Sequence, residues 1–302
     1  MTHLHDNLYS VAFLRNDRAA MQAQVAWAQG NPGGDRIFAA QSDTDAYYGH
    51  LHQACEFTQK SVDTAKAAEL PESAAIWMAE AAMHEVALGN PQQARSLIQD
   101  ALQLAPNSKD VRSLAATVYA KTGDEPPALQ ITCDLQALYP SNIVIQKAWL
   151  PVVRAQLAMN KHNYEEALRQ LQIVSPYETG QLTGNLSDSC MVPVLLRCLN
   201  KNQQALLEFQ KLETNPGLIA NCWSGPLAKL GTARAHAQSG EKSEAKVVRK
   251  TSDTVVRSRP RCSLGETSQK RNGQNPLTLC KRPRSNRKGH ALCACPGRIV
   301  VW

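Results

Sequence analysis

The chain has 302 residues, of which 43% are apolar and only 5% aromatic, and its formal net charge is +7 at pH 7. This composition, with many Ala, Leu and Gln residues, favours closely packed helices and disfavours sheets. No run of about 18 apolar residues occurs, so we expect no membrane segment. The first residues lack the basic flank and apolar core of a secretory signal, so we expect none here.

The net charge is distributed unevenly along the chain. Residues 1–246 contain 20 Lys and Arg against 24 Asp and Glu, whereas residues 247–302 contain 13 against 2. The first part is therefore mildly acidic and has no basic stripe that would follow a phosphate backbone. We expect no nucleic-acid partner for it.

Apolar periodicity and turn residues predict helices along most of residues 4–246. In chain order, helices are predicted at 8–14, 18–29 and 37–41, and then from the 46–54 segment, with a turn at Gly49, through residue 68. The two clear repeats follow over about 75–141, and further helices are predicted at 143–159, 163–171, 192–199, 204–212 and 227–238. Loops are expected at 70–73, with Pro71 in a first helical turn, and at 176–189, and Pro151 is expected to kink the helix that contains it. The sequence therefore predicts an all-α fold.

The pattern of one helical hairpin occurs twice in the middle of the sequence. Three pairs of residues are each separated by 34 positions: Gly89 and Gly123, Ala94 and Ala128, and Pro106 and Pro140. A fixed period of this length is typical of a helix-turn-helix solenoid, because one hairpin cannot bury its own apolar face. An ordinary helical bundle with a chance repetition is the alternative.

The spacing resembles the tetratricopeptide repeat. The matching residues are Ala116, Tyr119, Gly123, Ala128 and Pro140 in one copy and Ala82, Gly89, Ala94 and Pro106 in the other. Glu85 departs from the pattern, because an aromatic residue is usual at its position. The resemblance implies a solenoid of six or seven hairpins over residues 4–246 that binds other proteins.

Residues 4–246 also resemble the C-terminal repeat region of bacterial, especially acidobacterial-type, multidomain proteins, including receptor-like serine/threonine kinases. The segments that carry this resemblance are 51–54, 104–108, 175–178 and 233–237. It implies a cytoplasmic location, or an extracytoplasmic one if the parent protein is anchored in a membrane. It also implies an alternative function, as the detached sensor or regulatory part of a kinase or transcriptional regulator.

Residues 247–302 have a different character, rich in Arg, Ser, Pro and Cys and without helical periodicity. A disordered arm, a basic targeting patch at 281–288 and a zinc site are three interpretations. Cys280, His290, Cys293 and Cys295 make a weak zinc set, because a Cys-x-Cys pair lacks the usual spacing. A fourth interpretation, out-of-frame translation, fits best, because one nucleotide shift of permitted codons for 251–259 and 264–275 yields amphipathic helical sequence.

No catalytic motif accompanies the repeats. A Gly-rich loop with a phosphate-pairing Lys, His-Arg-Asp and Asp-Phe-Gly are all missing from the sequence, so we expect a non-catalytic protein without a cofactor or bound metal. We expect His84 and His162 to be surface residues. The five cysteines before residue 247 are expected to be buried, reduced thiols.

The remaining candidate for function is the concave face lined by the first helix of each hairpin. Projection of one helical face nominates Met83, Ser113, Thr117, Lys121, Gln156, Asn160, Arg234 and Gln238. Their amides and hydroxyls suit the backbone of a bound peptide, and Lys121 and Arg234 suit a carboxylate.

The interpretation of residues 247–302 is tested by reading codons 240–256 from independent genomic DNA. We expect a missing or extra base there, because one shift restores helical sequence in two separate segments. An unchanged frame would contradict out-of-frame translation and leave the basic segment as part of the protein.

Overall fold

The computed structural model describes residues 2–177, 202–222 and 224–241, and these residues contain helices but no strand. The α-helices are α1 (Thr2–Leu14), α2 (Arg18–Ala28), α3 (Gly34–Tyr47), α4 (Leu51–Ala67), α5 (Pro71–Ala87), α6 (Pro91–Leu104), α7 (Lys109–Thr122), α8 (Glu125–Leu138), α9 (Leu150–Asn160), α10 (Tyr164–Val174), α11 (Asn202–Thr214), α12 (Pro216–Ile219) and α13 (Ser224–Gln238). A π-helical turn, Ile145–Trp149, precedes α9, and a 3-10 turn, Ser175–Tyr177, follows α10.

The helices from α1 to α10 form five antiparallel hairpins, each of which packs on the next. The second helix of each hairpin packs on the first helix of the following one. In addition, α5 packs on α7, and α7 packs on α9. The second helices do not pack closely together, so the first helices lie on the inside of the curve. This is the predicted all-α solenoid. We call the side formed by α5, α7 and α9 the inner face.

Each complete hairpin turns through a residue with a left-handed backbone conformation. At the α7–α8 turn, Gly123 has φ 83°, and the next residue, Asp124, donates its backbone N–H to the Tyr119 carbonyl at 2.8 Å. This bond satisfies a carbonyl at the end of the first helix. The left-handed residues of the five turns are Asn16, Gly49, Gly89, Gly123 and His162.

Alanines pack the helices of a hairpin against each other. Ala82 and Ala94 in the third hairpin, and Ala116 and Ala128 in the fourth, are all fully buried. Small side chains let two helix axes approach closely, which explains why the 34-residue period is carried by Ala as well as Gly. The predicted repeat is confirmed at these positions.

The 34-residue period is interrupted in the fifth hairpin, which contains Pro151. Helical structure extends from residue 143 to residue 160, and the N–H of Leu150 bonds to the Ile145 carbonyl across the π-helical turn. Pro151, which has no N–H to donate, follows this turn directly in the first turn of α9. The helix therefore accommodates the proline through a π-helical turn.

The apolar core is interrupted at the junction between α3 and α5. One cluster of buried side chains extends from Tyr9 to Phe38, and a larger one extends from Val62 to Leu157. Unlike α5 with α7, or α7 with α9, the helices α3 and α5 do not pack closely. The first helices are therefore separated at this one junction of the described solenoid.

The last described helices form a pair and contact the second hairpin. Phe209 of α11 is fully buried, and a Cβ atom added at Gly231 of α13 would lie 2.2 Å from its ring, so glycine is required there for close packing. The Asn221 side-chain amide donates to the Ala40 carbonyl at 2.6 Å. The loop between α12 and α13 therefore lies against α3.

Several predictions need correction. Pro71 lies in the first helical turn of α5, as predicted, and because the helix begins at this residue the loop expected at 70–73 ends at Leu70. Cys55, Cys133 and Cys222 form no disulfide among the described residues, but none of the three is buried, and Cys133 is exposed. The predicted helix at 192–199, the loop at 178–189 and the expected disorder of 247–302 lie outside the described residues.

Gly123→Ala should lower the free energy of unfolding by about 1 kcal/mol, because an L-residue is strained at positive φ. A Cβ atom at Gly123 meets nothing within 4 Å, so backbone strain alone would cause the loss. Gly217→Ala is the control, since Gly217 also has open space around it but no positive φ. Urea denaturation with equal midpoints for both variants would contradict this account of the turn.

Candidate functional site

Four of the eight predicted groove residues are buried. Met83 is 3% exposed, Ser113 and Gln156 are 1% exposed, and Thr117 is fully buried. Ser113 donates its hydroxyl to the Lys109 carbonyl at 2.8 Å, and Thr117 donates to the Ser113 carbonyl at 3.1 Å. In this conformation the four side chains contribute to helix packing, and contact of any of them with a partner stays a prediction.

The other four predicted groove residues are accessible to solvent. Lys121 and Arg234 are half-buried, whereas Asn160 and Gln238 are exposed. Lys121 lies in the last turn of α7 and Asn160 is the last residue of α9, so both are at the same end of the inner face. Arg234 and Gln238 belong to α13, which is not part of the inner face.

A chain of amide hydrogen bonds joins α9 to α7. Asn160 donates its side-chain amide to the Ala120 carbonyl at 2.7 Å, and its oxygen accepts from Gln156 Nε2 at 2.9 Å. The Gln156 Oε1 atom is buried and finds no hydrogen-bond partner among the described residues. The bridge fixes the position of the Asn160 side chain beside Lys121.

The structure reveals a second site that the sequence analysis did not predict. It is a narrow cleft of about 10 Å³, with room for about one water molecule, between α3 and α5 above α4. The residues that line it are Ala39, Ser42, Asp43, Thr58, Ser61, Trp77, Glu80, Ala81 and His84. We call it the α3–α5 cleft.

Two polar contacts bridge the helices at this cleft. The Trp77 indole N–H donates to the Asp35 carboxylate at 2.9 Å. His84 Nε2 lies 3.1 Å from Asp43 Oδ1. Because Asp35 and Asp43 belong to α3 and the two rings to α5, polar contacts take the place of close helix packing here.

Hydroxyl groups at the base of the cleft are bonded within the protein. Ser42 donates to the Ala54 carbonyl at 2.8 Å, and its oxygen therefore accepts from the Thr58 hydroxyl, also at 2.8 Å. Ser61 donates to the Thr58 carbonyl at 2.8 Å. These donors are occupied, so they are not available to a carboxylate above them.

The Glu80 carboxyl is the exception in this network. Its Oε1 atom is buried and has no hydrogen-bond partner among the described residues. Burial raises the pKa of Glu80 well above its ordinary value, the Asp43 charge raises it further, and Arg36 opposes both. Glu80 is therefore an acidic group without an adequate counter-charge.

His84 and its neighbour Glu85 are not surface residues. His84 faces the cleft with a side chain only 14% exposed, which contradicts the prediction for it. Glu85 is 2% exposed, and its carboxylate accepts from the Asn90 side chain at 2.7 Å in the following turn. His162 is exposed, as predicted, and lies in the turn before α10.

The predicted zinc residues in 280–295 lie outside the described part of the chain. Within the described part, no three His, Cys, Asp or Glu side chains have an arrangement that could hold a metal ion. None of the described helices combines the length and apolar character that a bilayer span requires.

A family model described as Tetratricopeptide repeat matches residues 85–150, from the end of α5 to the start of α9. No curated protein matches the chain in sequence. The match and the stacked hairpins support a tetratricopeptide-type fold, and repeats of this kind generally mediate protein–protein interaction. The relation to bacterial kinases stays a prediction.

Glu80→Gln should stabilise the protein at neutral pH. The folded protein retains the Glu80 proton above the ordinary pKa of 4.5, so stability falls as the pH rises from that value towards the folded pKa. A neutral amide removes this cost, and we expect a rise in Tm of about 2–4 °C at pH 8 but little change at pH 4.

The matched control is Glu56→Gln, because Glu56 on α4 is an exposed carboxylate with 56% of its side-chain surface accessible. Thermal unfolding of both variants at pH 4, 6 and 8 measures the effect. A Glu80→Gln shift that is the same at all three pH values would show that the buried charge is not its cause.

Proposed function

We propose that the chain is a non-catalytic interaction scaffold that binds a peptide segment of a partner protein on its inner face. The observation that carries the proposal is the bridge between α7 and α9, which holds the Asn160 amide beside Lys121. An amide and an ammonium group at adjacent positions can donate to the backbone and to a carboxylate of the same peptide.

Three helices that pack side by side give an extended surface suited to an extended or helical peptide. The proposed extent of the solenoid is residues 4–246, with 247–302 outside it. The regulatory alternative rests on the resemblance alone.

Peptides selected by the full chain from a displayed library provide the test. Lys121→Ala should weaken the binding of carboxylate-bearing peptides by about tenfold, because a charge-assisted hydrogen bond is lost. Fluorescence anisotropy of labelled peptides gives the affinities.

Lys66→Ala is the control, since Lys66 is an exposed lysine on α4, a second helix away from the inner face. Equal affinities for Lys121→Ala and the wild type would contradict the proposed contact of Lys121 with the peptide. A small molecule that raises Tm more than any selected peptide would favour a different class of ligand.

A further inference from the structure

One face of α1 exposes a stripe of apolar side chains. Four large apolar residues of this helix are between 45% and 58% exposed: Leu4, Leu8, Val11 and Leu14. Their spacings of four, three and three residues place them on a single face of the helix. Tyr9 and Phe13 on the other side of α1 are buried in the first apolar cluster. We call the four exposed residues the α1 stripe.

The equivalent face is covered in a later hairpin. The first and fourth hairpins can be aligned on the left-handed residues of their turns, Asn16 and Gly123. In this register the first three stripe residues correspond to Val111, Ala115 and Val118 of α7, which are fully buried. The helix α7 packs on both helices of the preceding hairpin, α5 and α6. The α1 stripe is therefore the surface on which one hairpin stacks on another.

The exposed face of α1 carries no charge. Between Leu4 and Leu14, the exposed residues of the helix are the α1 stripe and Asn7. Charged residues are depleted at the centre of homodimer interfaces, whereas complementary charges orient and select different partners. An uncharged face can meet a copy of itself without bringing like charges together. The α1 stripe therefore favours a second copy of this chain as its partner.

The spacing of the α1 stripe is also self-complementary. When two copies of α1 run antiparallel about a two-fold axis between residues 9 and 10, Leu8 of each copy lies opposite Val11 of the other. Leu4 then lies opposite Leu14, within about one residue rise of 1.5 Å. Consecutive helices of the solenoid also run antiparallel, so α1 of the second copy would take the place that α6 has on α7.

We propose that the chain forms a two-fold symmetric dimer in which the α1 stripes of two copies pack antiparallel. The stripe is about 15 Å long, so the contact is smaller than a standard protein interface of about 1,600 Å². We expect a weak dimer with a Kd of about 10–100 µM. The inference does not depend on peptide binding, because α1 is not part of the inner face.

Sedimentation velocity of the full chain from about 5 to about 500 µM, a range around the expected Kd, measures the association. Reducing conditions are used, because Cys133 is exposed. We expect the sedimentation coefficient to rise with concentration to that of a dimer and no further, since a two-fold contact is closed.

Leu8→Glu should raise the Kd of the dimer by at least about tenfold, because it places an unpaired charge in an apolar contact. Leu207→Glu is the matched control, since Leu207 of α11 is a 60% exposed leucine outside α1, and this variant should dimerise as the wild type does. Leu8 is exposed in the single chain, so the helical content should be unchanged, which circular dichroism checks.

A charge exchange tests the antiparallel register. Val11→Lys alone should also weaken the dimer, but an equimolar mixture of Leu8→Glu and Val11→Lys chains should recover it. In that mixed dimer the introduced carboxylate faces the introduced ammonium, and the other central row keeps its Leu and Val. A parallel dimer would give no recovery, because position 8 would then face position 8.

A chain that stays monomeric at all these concentrations would overturn the inference and assign the α1 stripe to a different helical partner. A dimer that Leu8→Glu leaves intact, or assemblies larger than a dimer, would also overturn it. None of these results bears on the Lys121 measurement, so failure of the dimer and failure of the proposed peptide function are distinguishable.

Discussion

Close packing of alanines between the two helices of a hairpin is the contact on which the rest of the structure depends. Ala116 on α7 and Ala128 on α8 are fully buried, and larger side chains there would hold the helix axes apart. The left-handed Gly123 brings α8 back along α7 within one turn. Stacking of such units buries the faces that a single hairpin leaves exposed.

A solenoid of this kind tolerates local disturbance, because each hairpin contacts mainly its neighbours. The π-helical turn before Pro151 and the open junction between α3 and α5 are both examples. At the junction, Trp77 and His84 keep the two helices together through carboxylates of α3. Polar contacts of this kind demand specific partners, so the cleft has a defined shape despite the lack of apolar packing.

The periodic features of the fold could be predicted from the sequence, because they are local. Gly89 and Ala94 mark a turn and a helix crossing that depend on residues only a few positions away. The replacement of an aromatic residue by Glu85 has a local explanation as well, the hydrogen bond from Asn90 in the next turn. The sequence alone does not predict this bond, because it gives no sign that the Glu85 carboxylate is buried.

The cleft could not be predicted in the same way. Glu80 stands in an Ala-rich helix, which is a signal that a carboxylate faces the interior, but its neighbour Asp43 is in the preceding hairpin. Their proximity depends on how two hairpins stack. The burial of the predicted groove residues was missed for a related reason. Helical projection correctly placed Ser113 and Thr117 on one face of α7, but the burial of that face depends on how neighbouring helices cover it.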